Sequence, residues 1–322
     1  MKILIIRFSS IGDIVLTTPV IRCLKKQLDC ELHFLTKKNF QSILVPNPYL
    51  DKIHTLDQSL SRLITQLKAE KYDYIIDLHN NLRSQHVKWA LRCTSYTFKK
   101  LNFEKWLLVN FKINRLPDVH IVDRYLATTA GLGVKNDGQG LDYFIPKEME
   151  VDVSELLGSN TPYIAFAIGA AHATKRLPKE KTIAICQQIQ MPVVLLGGPA
   201  EAEVGEAIAK ASGMHVHNTC GKLKLHQSAS VVRQARKVIT HDTGMMHIAA
   251  AFQKEIISIW GNTIPAFGMT PYYGSNPNRN QTIEVPNLAC RPCSKIGHAT
   301  CPKGHFDCMQ RIDIAEVVQN VT

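Results

Sequence analysis

No apolar run in this sequence approaches the ~18 residues that a membrane-spanning helix needs. Met1–Arg7 is too short for a signal-peptide core and has no small-residue cleavage site, so a cytoplasmic protein is expected. No G-x-G-x-x-G fingerprint follows the first apolar run, which argues against an NAD enzyme, and the missing Walker loop leaves ATP hydrolysis without support. There is no repeat of ~20–50 residues and no low-complexity tract. The 18 Gly and 15 Pro are scattered, which excludes a fibrous or largely disordered chain. What is present is an ordinary globular composition: 322 residues, 45% apolar, 20% charged and 7% aromatic, long enough for two domains.

The charge is less ordinary. A net +11 favours anionic partners: nucleic acid, a membrane surface or phosphorylated small molecules. Between Arg83 and Arg115, eight basic residues face one acid, Glu104, and are interleaved with Trp89, Tyr96, Phe98, Phe103, Trp106 and Phe111. Three readings fit: a surface resting on anionic lipid, core helices whose lysines snorkel outward, or a nucleic-acid site. No nucleic-acid motif accompanies the stretch, so no nucleic-acid partner is expected.

Strand-length apolar runs alternate with helix-length segments. Lys2–Arg7, Glu31–Leu35, Lys52–Leu56 and Tyr74–Leu78 read as strands, with a helix predicted over Ile14–Leu28. The runs are continuous rather than alternating, which predicts parallel sheet covered on both faces and an α/β, doubly wound fold. The pattern weakens between Asp142 and Thr161, then restarts with strands at Tyr163–Ile168, Pro192–Leu196, Val238–Thr240 and Ile256–Trp260. Two modules are expected, residues 1–155 and 156–322, the last helix (Arg311–Thr322) opening with Asp313 and Glu316 at capping-box spacing.

Ligands of open parallel sheets bind beyond the carboxyl ends of the strands, so strand-to-helix turns rank first as sites. After the first strand come Ser9-Ser10-Ile11-Gly12-Asp13, in which Asp13 either caps a helix or serves as a general base. In His241-Asp242-Thr243-Gly244-Met245-Met246-His247, Thr243 and Gly244 open a helix whose free N–H groups suit a diphosphate, and His247 lies one turn in; a plain cap with a buried histidine is the alternative. In His172-Ala173-Thr174-Lys175-Arg176-Leu177-Pro178, paired cations stand at a helix start, where they are disfavoured unless an anion binds between them. Gly197-Gly198-Pro199-Ala200-Glu201 offers an acid for ribose hydroxyls.

These stretches, with Asp77-Leu78-His79-Asn80-Asn81-Leu82-Arg83-Ser84 and His120-Ile121-Val122-Asp123-Arg124-Tyr125-Leu126, together resemble the heptosyltransferases of glycosyltransferase family nine, in order and spacing over nearly the whole chain. The resemblance implies a GT-B fold, two Rossmann-like domains facing across a cleft: residues 1–155 would bind the acceptor and 156–322 the donor, and the last helix would dock on the first domain. It implies inverting transfer of heptose from ADP-L-glycero-D-manno-heptose to a lipopolysaccharide inner-core acceptor such as Kdo-lipid A, with no cofactor or metal required. Asp13 matches the proposed base and Lys175 the lysine at the donor diphosphate. Thr174, Arg176, Glu201, Asp242, Thr243, Gly244 and His247 fall in the donor site, and Ser10, Gly12, His79, Arg83 and Arg124 near the acceptor. Met246, Leu177 and His79 depart from the family's usual small residue, Trp and Gln, and bear on which sugar and acceptor are used. An acceptor on lipid also gives a peripheral contact with the inner face of the membrane its sense. The rivals are a family-nine transferase with another nucleotide sugar, and a non-catalytic protein on the same fold that binds nucleotide sugar or nucleic acid.

Nine cysteines remain. Cys23, Cys30, Cys93, Cys186 and Cys220 read as dispersed reduced thiols. Cys290, Cys293, Cys301 and Cys308 have the look of a zinc knuckle and are read as a structural zinc site, a redox pair or reduced thiols.

Overall fold

The computed structural model describes residues 1–57 and 59–321. Two compact units emerge, each built on one all-parallel sheet. The first comprises Met1–Leu101, Val119–Phe144 and Tyr272–Asn276; the second Asn102–Asp118, Ile145–Pro271 and Pro277–Thr322, with Thr322 itself outside the described residues.

In the first unit β1 (Lys2–Ile6), β2 (Glu31–Lys37), β3 (Lys52–Leu56), β4 (Tyr74–Asp77) and β5 (Thr94–Thr97) pair in the order β3-β2-β1-β4-β5. Ile3, Leu4, Ile5 and Ile6 are all fully buried, as a strand covered on both faces requires. Leu4, Ile6 and Leu35 pack against Leu63, Ile64 and Leu67 of the helix Leu60–Ala69 on one face. The predicted helix Ile14–Leu28 is two helices, Ile11–Val15 and Thr18–Gln27. Pro19 sits in the first turn of the second, where its missing N–H costs no helix bond. Arg22 of that helix is 1% exposed and is held by Asp137, Asp142 and the Gly140 carbonyl.

In the second unit β6 (Ile164–Ala167), β7 (Val193–Leu196), β8 (Val216–Asn218), β9 (Lys237–His241), β10 (Glu255–Trp260) and β11 (Asn280–Glu284) pair in the order β11-β10-β9-β6-β7-β8. The division falls earlier than the expected boundary at 155. The physical reason is Glu150, whose carboxylate accepts from Ser230 and Arg233, and Val151, whose N–H donates to Ser230 Oγ, so this stretch is bonded into the second unit. The last helix, Ile314–Val321, also belongs there rather than to the first domain: Val317 and Val321 are fully buried in the core with Ile185, Ile257 and Ile283. Asp313 caps it, accepting the Ala315 N–H at 2.9 Å.

Candidate active site

Each sheet has a switch point, where successive connections leave in opposite directions, and ligands of such sheets bind there. In the first unit it lies between β1 and β4; in the second, between β6 and β9. The sequence-predicted residues gather at both.

At the first switch point Arg7, just past β1, is nearly buried. Its guanidinium donates to the carbonyls of Ser9 (2.8 Å) and Leu78 (2.6 Å) and to the Tyr125 hydroxyl (3.0 Å), and pairs with Asp13 Oδ1 at 2.6 Å. Asp13 Oδ2 accepts from the Ser10 N–H (3.0 Å) and hydroxyl (2.7 Å). Burial alone would raise the Asp13 carboxyl; the charge of Arg7 and the Ser10 donors outweigh it and hold it below the usual carboxylate range. Asp13 therefore has the cap that the sequence offered as one alternative: one oxygen accepts from Ser10 at the start of the helix Ile11–Val15, and the other meets a fixed cation.

After β4, the fully buried Asp77 shapes the turn, accepting the N–H groups of His79 and Asn80 and the Ser84 hydroxyl. It places His79 edge-on to Phe8, ring centroids 5.1 Å apart. Burial, then the charge of Arg7, pulls His79 down to about 4, and its Nδ1 is buried without a protein partner. Arg124, on the helix Ile121–Leu126, has Nε and one terminal nitrogen buried with no protein acceptor. A cation desolvated without a counter-ion is costly unless a ligand anion completes it. Arg83 is exposed and lines, with Lys37, Lys38, Asn39, Leu56, Asp57 and Leu60, a pocket of about 290 Å³. Arg7, Tyr125, Lys37 and Lys38 were missed from sequence. The Lys37-Lys38-Asn39 turn follows a strand and carried that signal; the Arg7–Tyr125 contact spans the chain and had none.

At the second switch point Lys175 Nζ binds Asp242 twice, at Oδ2 (2.6 Å) and at the backbone carbonyl (3.2 Å). Thr263 Oγ1 donates to the same Oδ2 at 2.8 Å, and Arg291 donates to the Thr263 carbonyl at 3.0 Å. Thr243 caps the helix Gly244–Ala251 with extended backbone and no side-chain cap bond, which leaves the first N–H groups of that helix to an incoming acceptor. His247 is buried. His241 Nε2 accepts the Leu177 N–H at 3.0 Å, and burial, then Arg176, brings that histidine down to about 4.

Arg176 meets Glu201 at 3.3 Å, while Glu201 Oε2 accepts the Gly198 N–H at 2.9 Å. Both border a pocket of about 300 Å³ whose walls include Ile168, Leu177, Val204, Ile208 and Phe306. A small apolar pocket with an acid and a guanidinium at its edge suits a flat heterocycle carrying polar hydroxyls. Thr174 takes another role: it is 2% exposed, and its hydroxyl and N–H are bonded to the backbone of His298.

Two further expectations change. Among the described residues, no three of the C-terminal thiols have sulfurs within 4.8 Å of one another, so Cys290, Cys293, Cys301 and Cys308 gather within electrostatic reach of one another without the close spacing expected of a zinc knuckle. Cys293 Sγ points to the Cys290 carbonyl at 3.0 Å, burial and then Cys290 push the Cys293 thiol up to about 11, and burial pushes Cys308 up to about 12. The basic-aromatic stretch is also not core: Trp89, Phe103, Trp106 and Phe111 are exposed, whereas Phe98 is buried.

Two Rossmann-like sheets, one with a carboxylate and the other with a helix start lacking a side-chain cap bond at the switch point, match the class of nucleotide-sugar-dependent transferases with two α/β domains. The sequence profile of Glycosyltransferase family 9 (heptosyltransferase) matches residues 60–302, and the chain belongs to this family of enzymes. Lipopolysaccharide heptosyltransferase 1 of Campylobacter coli is 26% identical, covering 88% of this chain and 90% of that protein. Its namesake in Pseudomonas aeruginosa is 26% identical, covering 92% and 86%. Among solved structures, E. coli ADP-heptose lps heptosyltransferase II superimposes with a TM-score of 0.72 at 19% identity, covering 100% and 97% of the two chains. E. coli heptosyltransferase WaaC with ADP does so with 0.70 at 19%, covering 100% and 99%. The fold is that of these heptosyltransferases.

Proposed function

We propose that this enzyme transfers heptose from ADP-L-glycero-D-manno-heptose to a lipopolysaccharide inner-core acceptor, with inversion and without a metal. The observation that carries this reading is the pairing of Lys175 with Asp242 beside an uncapped helix start, together with the Arg176–Glu201 pocket: a diphosphate cradle next to a nucleoside-sized cavity. Relatives named for heptosyl transfer support the donor assignment.

The chemistry follows from charge. An acceptor hydroxyl is far too weak an acid to ionise near neutrality, so a carboxylate takes its proton as attack develops. Asp13 takes that role: the O–H bond breaks towards its carboxylate while the new C–O bond forms at the anomeric carbon. The bond from that carbon to the diphosphate breaks, through an oxocarbenium-like state. ADP leaves with its electron pair and gains negative charge. Lys175 uses two of its three N–H donors on Asp242 and has a third for the departing phosphate, joined by the Thr243/Gly244 helix start. Fixed cations there take over the charge stabilisation that a divalent ion provides elsewhere.

For the acceptor, Arg124 and the Lys37, Lys38 and Arg83 pocket offer cations to the carboxylates and phosphates of an inner core. No helix among the described residues is long and apolar enough to cross a membrane. The helix Asn102–Phe111 instead exposes Phe103 and Trp106, stacked 6.1 Å apart, with Phe111 against Trp106 at 5.2 Å. Aromatics exposed among lysines favour a peripheral contact with anionic lipid over a snorkelling core. The test is incubation with ADP-heptose, and in parallel UDP- and GDP-sugars, with a Kdo-bearing lipid acceptor. One added heptose by mass, from ADP-heptose alone, is expected. Transfer from a UDP- or GDP-sugar instead would move the donor assignment, and no transfer from any would leave a binding protein.

A further inference from the structure

One cluster of titratable side chains lies away from both strand-end sites. His33 on β2 and His54 on β3 point to the same sheet face as Leu4 and Leu35, where a doubly covered strand is otherwise apolar, and both are buried. The helix Leu60–Ala69 crosses that face and delivers Glu70 and Tyr72 onto them. His33 Nδ1 is 3.3 Å from His54 Nε2 and 2.8 Å from Tyr72 Oη, which lies 2.9 Å from His54 Nε2. The Glu70 oxygens stand 3.7 Å from His54 Nε2 and 3.9 Å from His33 Nδ1. Among the described residues this is the only trio of metal-capable side chains whose ligating atoms all fall within 4.8 Å.

We propose that His33 Nδ1, His54 Nε2 and a Glu70 oxygen bind one divalent transition-metal ion, Zn²⁺ by chemistry, with Tyr72 Oη at the fourth corner. Metal–nitrogen bonds of 2.0–2.1 Å in a tetrahedron set nitrogen-to-nitrogen edges of roughly 3.3–3.4 Å, and the two imidazoles already stand at that spacing. The outer contacts fit as well. His33 Nε2 is 2.8 Å from Glu31 Oε1, and a carboxylate only accepts, so Nε2 is the donor nitrogen and Nδ1 is the one turned inward to the cluster. An imidazole oriented by a carboxylate on its far nitrogen is how bound histidines are held. Imidazole and carboxylate donors in a four-coordinate setting select Zn²⁺ over Mg²⁺ or Ca²⁺.

Lys2 and Lys52 bond Glu70 on its outer side and are the cations an incoming ion must share it with. Tyr72 closes the fourth position, so the ion would be structural: it would tie β2, β3 and the approach to β4 near the amino-terminal end of the sheet. Asp13 follows the opposite, carboxyl end of β1, so the site is separate from the transfer chemistry.

The full-length protein, stripped with a chelator, is titrated with ZnCl₂ by calorimetry and, separately, with Co²⁺ under absorption spectroscopy. One equivalent is expected, with a raised melting temperature and cobalt d–d bands free of thiolate charge transfer. A Cys290→Ser/Cys293→Ser double variant should bind unchanged, and His54→Gln and Glu70→Gln should each weaken binding by at least tenfold. Should those two fail to fold, Glu31→Ala, at an exposed position, should still weaken it about tenfold, as loss of an outer partner does. No bound ion, a thiolate charge-transfer band, loss of binding in the cysteine variant, or full binding in all three cluster variants would each overturn the site.

Discussion

The Arg7 guanidinium lies 2.6 Å from Asp13 Oδ1, while the other Asp13 oxygen is taken by Ser10. The pair sets a pH dependence. Because the folded carboxyl is held below its ordinary value, Asp13 is ionised throughout the neutral range. As base in the free enzyme it therefore gives no acid limb in kcat/KM between about pH 5 and 8, since even an unperturbed aspartate titrates near 3.9. A limb near pH 6.5 would assign the proton to another group. The same sign governs stability: this contribution is present above the unfolded-state pKa and disappears as pH falls through the lower folded-state value. Acid unfolding of Asp13→Asn should lack that component.

Asp13→Asn keeps the cap, since an amide oxygen still accepts from Ser10, but cannot take a proton. Transfer should fall by about 10²–10⁴-fold, the usual worth of a general base, with ADP affinity by calorimetry unchanged. Equal loss of both would reduce Asp13 to a helix cap.

Lys175 and Asp242 define the second test. Lys175→Ala removes a donor aimed at the leaving diphosphate, and a preorganised donor of this kind is worth about 10²–10³ in kcat. Thr263→Val leaves Lys175 in place and removes only the hydroxyl that shares Asp242 Oδ2. It should cost several-fold in kcat, with the melting temperature little moved. If Thr263→Val lowers stability and activity in proportion, the hydroxyl serves packing alone.

How much of this was legible in sequence follows burial. β1, β4, β6 and β9 are runs covered on both faces and announced themselves as apolar strings. The edge strands Thr94–Thr97 and Asn280–Glu284 are polar, because one flank needs no partner and the faces are only half covered, and they left no signal. Turn residues after the strands were found because the chemistry sits there by topology. Arg7 and Tyr125 were not, because their contact joins positions 118 residues apart. The four C-terminal cysteines show the reverse: their spacing was visible, but the path of the loop decides how closely the sulfurs approach, and it brings them near one another without any three within 4.8 Å. His33, His54 and Glu70 share no motif spacing, and only the pairing of β2 with β3 brings them together.

Arg22 tests how the first unit holds its Asp137–Asp142 segment. Its guanidinium is 1% exposed, bidentate on Asp137 at 2.7 and 2.8 Å, and also bonded to Asp142 and the Gly140 carbonyl. Removing it leaves two carboxylates facing a desolvated gap. Breaking a buried pair from one side costs about 3–5 kcal/mol, so Arg22→Ala should lower the urea midpoint of unfolding accordingly. A change below about 1 kcal/mol would mean that water replaces the arginine there.

The exposed aromatics of the helix Asn102–Phe111 make the last prediction. Leu108 is the buried anchor of that helix, so Phe103 and Trp106 can be changed without touching the core. Wild-type protein should float with vesicles containing anionic phospholipid, less so with neutral vesicles, and added salt should release it, since charge attraction among solvent-exposed groups is screened over about 10 Å at 0.1 M. Phe103→Ser/Trp106→Ser should lose most flotation while keeping transfer to a water-soluble acceptor fragment, because neither side chain belongs to the cradle or to the carboxylate site. Loss on lipid-bound acceptor alone identifies the helix as the membrane contact. Unchanged flotation in the double variant would mean that the aromatics meet something other than lipid.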